Sequence, residues 1–300
     1  MTSTTGCRNG KIAVVGAAGF LGRSVVTALK QADRSYVAFT RNTPLVADGL
    51  LSADAEGISS VIWLASSINP LVAESNPELV ASDLRVLQET SDRLRDKAPD
   101  ARFVLVSSGG SVYGDQRQPP YRETDPTTPA SAYGAAKLAM EHTVLGRLPD
   151  AVVLRIANAY GPGQPIAPGQ GVIAHWMRAI RRNEPIRVFG DTRTTRDYVF
   201  ANDVAEGLIN ACDAPTPSAI VNIGSGVPTS LADLLHLILR VVDRDRVMVE
   251  YVSARMFDVS ASYLDITAAR ETLTWKPTTN LIDGLSQTWQ AVLRYGDILT

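Results

Sequence analysis

The chain has 300 residues, 45% of them apolar, which is enough to bury a sizeable core as one large domain or as a domain with a smaller partner. Lys and Arg number 29 against 31 Asp and Glu, and the net charge of −2 gives no electrostatic case for a nucleic-acid or membrane partner. No signal-like apolar core opens the chain and no apolar run approaches the ~18 to 20 residues that span a bilayer, so a cytoplasmic location is the default expectation. Cys7 and Cys212 lie far apart without metal-ligand spacing; both are expected to be reduced, and no metal site is expected.

In chain order, Lys11–Val15 reads as a buried strand running into Gly16-Ala17-Ala18-Gly19-Phe20-Leu21-Gly22, and residues 23–31 read as a helix with Val25, Val26, Ala28 and Leu29 on its inner side. Glycines at a strand-to-helix turn let the backbone approach a pyrophosphate, whose charge is met by free amides and the positive helix end. Residues 36–40, 61–65 and 103–107 are near-continuous apolar runs, the pattern of parallel strands covered on both faces. Helical stretches at 77–97 and 132–148 alternate with them, and 151–155 is a further strand. After a Gly- and Pro-rich loop at 160–171 the regular alternation stops. Helices at 172–182, 203–213 and 231–242 and a strand at 186–189 follow, with no internal repeat.

The expected fold class is α/β: a doubly wound parallel Rossmann sheet with a smaller C-terminal α/β substrate-binding domain. On the family resemblance set out below, residues 1–163, with 198–226 returning to them, are expected to bind the dinucleotide, and 164–197 with 227–300 to bind the substrate.

On the helix from 132, Tyr133 and Lys137 stand one turn apart on the same face. A free phenol titrates at ~10, and a nearby fixed cation favours its phenolate, so the pair suits proton transfer. Such a pair is common on helices by chance; the glycine turn upstream supplies the context for a functional reading.

Several stretches together resemble the extended short-chain dehydrogenase/reductases, the NAD-dependent epimerase/dehydratase family, and most of all its UDP-hexose 4-epimerases. They are Gly16-x-x-Gly19-x-x-Gly22; Val61 to Ala65; Val106-Ser107-Ser108-Gly109-Gly110-Ser111-Val112-Tyr113-Gly114; Tyr133 with Lys137; Arg155-Ile156-Ala157-Asn158-Ala159-Tyr160-Gly161-Pro162-Gly163; Phe189-Gly190-Asp191; Arg196-Asp197-Tyr198; and Arg255-Met256-Phe257-Asp258. The resemblance covers nearly the whole chain.

The resemblance implies that Tyr133 is the acid/base and that Lys137 orients the nicotinamide ribose and depresses the phenol. It also implies a Ser or Thr partner four residues before the tyrosine of Val-Tyr-Gly, a place held here by Gly109. Ser111, which would project to the same side in extended backbone, and the adjacent Ser108 are the two candidates; both could instead cap the strand end. Cofactor contacts are expected from Gly16, Ala18, Gly19, Phe20, Leu21, Gly22, Thr40, Arg41, Asp48, Leu64, Ala65, Ser66, Asp83 and Ser107, besides Tyr133 and Lys137. Asn158, Arg196, Arg255 and Asp258 are expected on the sugar diphosphate, where a planar guanidinium fork pairs with phosphate oxygens. The sugar pocket is expected from residues 66–70, 164–171 and Trp176, and a homodimer through the helices at 77–97 and 132–148.

Two departures bear on the cofactor, which is NAD or NADP. Thr40, 24 residues after Gly16, stands where NAD-specific relatives carry a ribose-binding carboxylate, and Arg41 follows it. The stretch from Thr40 to Val61 is also short for the family, leaving Asp48 as a stand-in near adenine, and Asp83 replaces a family asparagine. The reaction that the resemblance implies is 4-epimerisation of a nucleotide sugar, UDP-linked in the family's usage, by transient hydride transfer at carbon 4. The alternatives are an NADPH-dependent reductase of a nucleotide-bound 4-keto-deoxysugar and a non-catalytic nucleotide sensor. Dehydration is disfavoured, because Gly109-Gly110 lacks the Asp-Glu pair of the dehydratases.

Overall fold

The computed structural model describes residues 10–115, 118–167, 169–215, 219–253 and 260–296. Six strands, β1 (Lys11–Val15), β2 (Tyr36–Phe39), β3 (Ile58–Trp63), β4 (Arg102–Ser108), β5 (Ala151–Ile156) and β6 (Ile220–Ile223), form one parallel sheet. Their spatial order is β6-β5-β4-β3-β1-β2, which reverses direction between β1 and β3 and opens a crevice outside their carboxyl ends.

Side-chain alternation divides the apolar strands between two helical layers. Ile12, Val14, Ile62 and Val104 cluster with Val25 and Leu29 of the Phe20–Gln31 helix and Val204 and Leu208 of the Ala201–Asp213 helix. Ala13, Val15, Val61, Trp63 and Leu105 cluster with Leu87 and Leu94 of the Pro77–Lys97 helix and Met140 and Val144 of the Ala132–Arg147 helix. With both faces covered, every central strand is buried, and this is why each reads as an apolar run.

A separate apolar cluster gathers the Val172–Arg181, Leu231–Val241 and Leu281–Tyr295 helices through Ile173, Met177, Leu234, Ile238 and Leu285. Ile186–Phe189 pairs in parallel with Val249–Val252 beside it. Trp176 belongs to this cluster: it is 2% exposed and its Nε1 donates to Arg187 O at 2.8 Å, so it is core and not the pocket lining expected of it. The sequence reading also did not anticipate the strands Asn158–Tyr160 and Thr195–Phe200, which pair in parallel, nor the Leu281–Tyr295 helix.

The short stretch after β2 is a hairpin, Val46–Ala47 against Leu50–Leu51. Its two-residue loop is Asp48 and Gly49, with φ of 51° and 72°, the positive pair that such a loop requires. Asp48 is exposed and holds the first position of this turn.

Candidate active site

The glycine turn lies where β1, β2 and β3 end together. Gly16 N donates to Phe39 O at 2.9 Å, Leu64 N donates to Val15 O at 2.9 Å, and Gly19 N closes the turn on Gly16 O at 2.9 Å. Gly16 has φ +89°, and a Cβ there would fall 2.8 Å from Ala65 N; at Gly22 a Cβ would meet Gly16 O. Larger residues would push strand, helix and neighbouring loop apart. Gly19 caps the helix without a side-chain bond, which leaves first-turn amides available to an anion. This cradle fits a dinucleotide pyrophosphate. Around it, Ala18 is exposed, Phe20 opens the helix, and Leu21 and Leu64 pack their side chains onto the core.

Arg23 was not singled out from sequence. Its Nη1 donates to Ala18 O and its Nη2 to Gly163 O, both at 2.7 Å, joining the glycine turn to the loop after Tyr160. Past β2, Thr40 Oγ1 lies 3.0 Å from Thr43 Oγ1 and accepts from Thr43 N at 3.3 Å. Arg41 is exposed.

Beyond β4 the backbone turns instead of continuing extended: Ser111 N donates to Ser108 O at 3.3 Å. The turn brings the two candidate serines together, with Ser108 Oγ donating to Ser111 Oγ at 3.1 Å. At Gly109 a Cβ would fall 2.6 Å from Leu264 Cδ1 and 3.1 Å from Arg155 O, so the missing hydroxyl has a steric reason. The Ala132–Arg147 helix docks on this turn through Gly134, where a Cβ would overlap Ser111 O, and Ser131 caps it by accepting from Gly134 N at 3.1 Å.

Tyr133 is partly exposed and packs with Ile68, Ala73 and Ala136. Lys137 is buried, with Nζ 5.7 Å from the centroid of the Tyr133 ring and 3.5 Å from Val106 O. Burial pushes the Tyr133 phenol up to about 12. Burial also pulls the Lys137 ammonium down to about 8, against the upward pull of Asp83 and Glu141. In the protein alone the cost of desolvation thus outweighs the neighbouring cation, and the expected depression of the phenol by Lys137 is not found.

Ser107 is buried, and its hydroxyl donates to Glu141 Oε1. Glu141 also takes Arg155 Nη2 at 2.7 Å and Arg155 Nε at 3.1 Å, an ion pair sealed from solvent. The sequence carried a signal for Glu141, because it follows Lys137 at the spacing by which Lys137 follows Tyr133. Asp83 Oδ2 accepts from Ser67 N at 2.6 Å and Ser66 Oγ at 3.2 Å, holding the loop after β3.

Asn158 Nδ2 donates to Asp197 O at 3.0 Å, and a Cβ on Gly110 would be 3.9 Å from it, so Asn158 borders the serine turn. Arg196, partly buried, donates from Nη1 to Thr195 O at 2.8 Å. Arg255 and Asp258 lie outside the described residues, as does Cys7, while Cys212 is buried and unpaired. Among the described residues no group of three His, Cys, Asp or Glu is arranged to hold a metal ion, and no helix is long and apolar enough to cross a membrane.

The model of the NAD dependent epimerase/dehydratase family matches residues 12–224. The UDP-glucose 4-epimerase of Mycolicibacterium smegmatis is 32% identical, over 92% of this chain and 96% of that protein. A putative UDP-glucose 4-epimerase of Methanocaldococcus jannaschii is 33% identical over 77% of this chain and 75% of that one. Among solved structures, MoeE5 in complex with UDP-glucose and NAD has a TM-score of 0.84 and 30% identity, covering 95% of this chain and 99% of its own. The UDP-glucose 4-epimerase of Thermotoga maritima with UDP-glucose has a TM-score of 0.80 and 28% identity, with the same coverage of 95% and 99%.

Proposed function

The chain belongs to the NAD-dependent epimerase/dehydratase family, and from that premise we propose that it is a nucleotide-sugar 4-epimerase acting on a UDP-hexose. The observation that carries this reading is one helix face, with the Lys137 ammonium over the Tyr133 ring and Gly134 docked on the Ser111 carbonyl of the turn that joins the Ser108 and Ser111 hydroxyls.

NAD is the cofactor that the cradle and the relatives support, and bound there it would supply reversible hydride acceptance for carbon 4 of the sugar. The chain's own residues do the rest. Gly16, Gly19 and the first-turn amides of the Phe20–Gln31 helix hold the pyrophosphate. In its phenolate form, which burial alone disfavours and the positive charge of Lys137 beside it favours, Tyr133 takes the proton from the 4-hydroxyl and gives it back, and Ser111, oriented by Ser108, hydrogen-bonds the same oxygen. Asn158 and Arg196, with Arg255 and Asp258, grip the sugar diphosphate. The cluster built on the Val172–Arg181 helix forms a substrate domain from residues 164–197 and 227–300, and residues 1–163 with 198–226 form the dinucleotide domain. A homodimer would pair the Pro77–Lys97 and Ala132–Arg147 helices, where Val86 is 50% exposed, with a second copy, and sedimentation velocity reads that state.

Incubation of the purified protein with UDP-glucose, followed by proton NMR of the anomeric region, tests the reading. UDP-galactose should accumulate without net reduction of NAD; no interconversion of any UDP-hexose sinks it. Arg41 favours a second reading, an NADPH-dependent 4-keto-sugar reductase, which would consume NADPH stoichiometrically.

A further inference from the structure

Asp197 is a buried carboxylate that the proposed chemistry does not use. It is 1% exposed, and four neutral donors meet it. Its Oδ1 accepts from Ser225 N at 2.7 Å and from Ser225 Oγ at 2.6 Å; its Oδ2 accepts from Gly226 N at 3.1 Å and from Leu264 N at 3.3 Å. A Cβ at Gly224 would overlap Oδ2, so the carboxylate is enclosed on that side as well. An ionised carboxylate only accepts, at about four lone-pair positions, and so matches this set of donors. An amide of the same shape would turn an NH2 group on two of them. The backbone of the same residue reaches the substrate side, where Asp197 O accepts from Asn158 Nδ2 at 3.0 Å. Strand pairing leaves that carbonyl to the asparagine: parallel pairing with Asn158–Tyr160 begins at Tyr198, and Asp197 faces Pro228, which has no amide hydrogen. Among the described residues Asn158 makes no other side-chain hydrogen bond.

We propose that Asp197 is a positioning residue for the sugar-diphosphate site: its carboxylate clamps the loop at Ser225 and Gly226 and the segment at Leu264, and so fixes the carbonyl that orients Asn158. The proposal rests on the reading of Asn158 as a ligand of the diphosphate. Moving the Asp197 carbonyl would break bonds to two separate segments, one just beyond β6 and one at Leu264. Leu264 in turn lies against Gly109, and Asn158 borders Gly110, so two neighbours of the serine turn meet at this one residue. Arg196 precedes Asp197 on the same strand, where alternation turns it to the opposite face, and there it pairs with Thr229 and Ser262. The clamp therefore also holds the strand from which Arg196 projects. None of the hydrogen bonds of Asp197 reaches the glycine cradle, so its loss should be felt by the sugar nucleotide and not by the dinucleotide.

The test joins NMR of the unliganded full chain carrying 15N-labelled asparagine with calorimetry on UDP-glucose and on NAD. The Asn158 side-chain amide signal is assigned by its loss in Asn158→Ala. Asp197→Asn is expected to displace that signal, to weaken UDP-glucose by ~10-fold and to leave NAD within about twofold. Ser225→Ala loses the hydroxyl and keeps the Ser225 amide bond, and should give a smaller change in the same direction; it serves if Asp197→Asn does not fold. With Asn158→Ala already in place, Asp197→Asn should weaken UDP-glucose by no more than about twofold further, because residues acting as a unit are not additive. A residue that only held the fold together would show its full cost in both backgrounds. An Asn158 signal unmoved in both variants, full additivity of the two substitutions, or equal weakening of NAD and UDP-glucose would overturn the assignment. A wild-type chain that binds no UDP-glucose would count against the proposed function, and the Asn158 signal, read without substrate, would still decide this inference.

Discussion

Ser108 donates its hydroxyl to Ser111 across 3.1 Å, in a turn that replaces the extended backbone expected after β4. The bond makes the two serines a relay: Ser108 fills one acceptor position of Ser111 and leaves the Ser111 proton free to point at a substrate oxygen. Ser111→Ala is expected to lower kcat by ~10², and Ser108→Ala, which removes only the orienting bond, by ~10-fold. The double variant should be no slower than Ser111→Ala, because residues acting as a unit are not additive. Steady-state kinetics of the three variants check this, and two nearly silent single variants would remove serine from the mechanism.

Tyr133→Phe removes only the ionisable hydroxyl, while the ring keeps its packing against Ile68, Ala73 and Ala136. Turnover should fall by ~10² or more with nucleotide-sugar affinity preserved. Calorimetry alongside the rate assay separates the two effects. An active variant would end the assignment of Tyr133.

The Glu141 and Arg155 pair should matter to stability more than to binding. Their side chains are 1% and 3% exposed, so Glu141→Leu strands a buried guanidinium and is expected to cost about 3 to 5 kcal/mol in urea unfolding. Replacing both residues with apolar side chains of similar volume should recover most of that loss. If the single variant is as stable as wild type, the pair is not a structural centre.

Lys137 imposes a pH signature on folding. Its folded-state value, about 8, lies below the ordinary 10.5, so between these limits the unfolded chain holds a proton that the native protein has lost. Stability contributed at this site therefore rises as pH increases from about 8 to 10.5, and below pH 8 the full cost of the buried charge is present. Tyr133, raised from 10.0 to about 12, acts oppositely: its contribution is lost as pH climbs through that higher window. Lys137→Met should be more stable than wild type below pH 8 and should lack the rise above it, as measured by urea unfolding across pH.

Much of this architecture was legible because parallel strands buried on both faces are continuous apolar runs, and because Gly16, Gly19 and Gly22 mark a turn where side chains do not fit. The features not read have local causes. Period-two alternation puts Phe103, Leu105 and Ser107 on one face of β4, toward the Ala132–Arg147 helix, so Ser107 reaches Glu141. Asp48-Gly49 carried a hairpin signal that the reading passed over. The turn that joins Ser108 and Ser111 packs Gly109 closely against Leu264, far along the chain, a contact that no local pattern encodes. The Leu281–Tyr295 helix, by contrast, did carry a signal: Asn280 caps it by accepting from Asp283 N.

Arg41 decides the cofactor prediction. The Thr40 hydroxyl is engaged by Thr43, which fixes the turn after β2, and Arg41 is exposed just beyond it, with no carboxylate in salt-bridge contact among the described residues. A guanidinium there can pair with an adenosine 2′-phosphate, and Thr40 removes the carboxylate that would repel one. NADP is accordingly expected to bind at least as well as NAD. Arg41→Ala should weaken NADP by about 1.5 to 3 kcal/mol and leave NAD nearly unchanged, measured by calorimetric titration of cofactor-stripped protein. Equal weakening of both dinucleotides would mean that Arg41 stacks on adenine, a cation over an aromatic face that is indifferent to the phosphate. A wild-type preference for NAD of about tenfold or more, ~1.4 kcal/mol, would remove the support that Arg41 lends to the reductase reading.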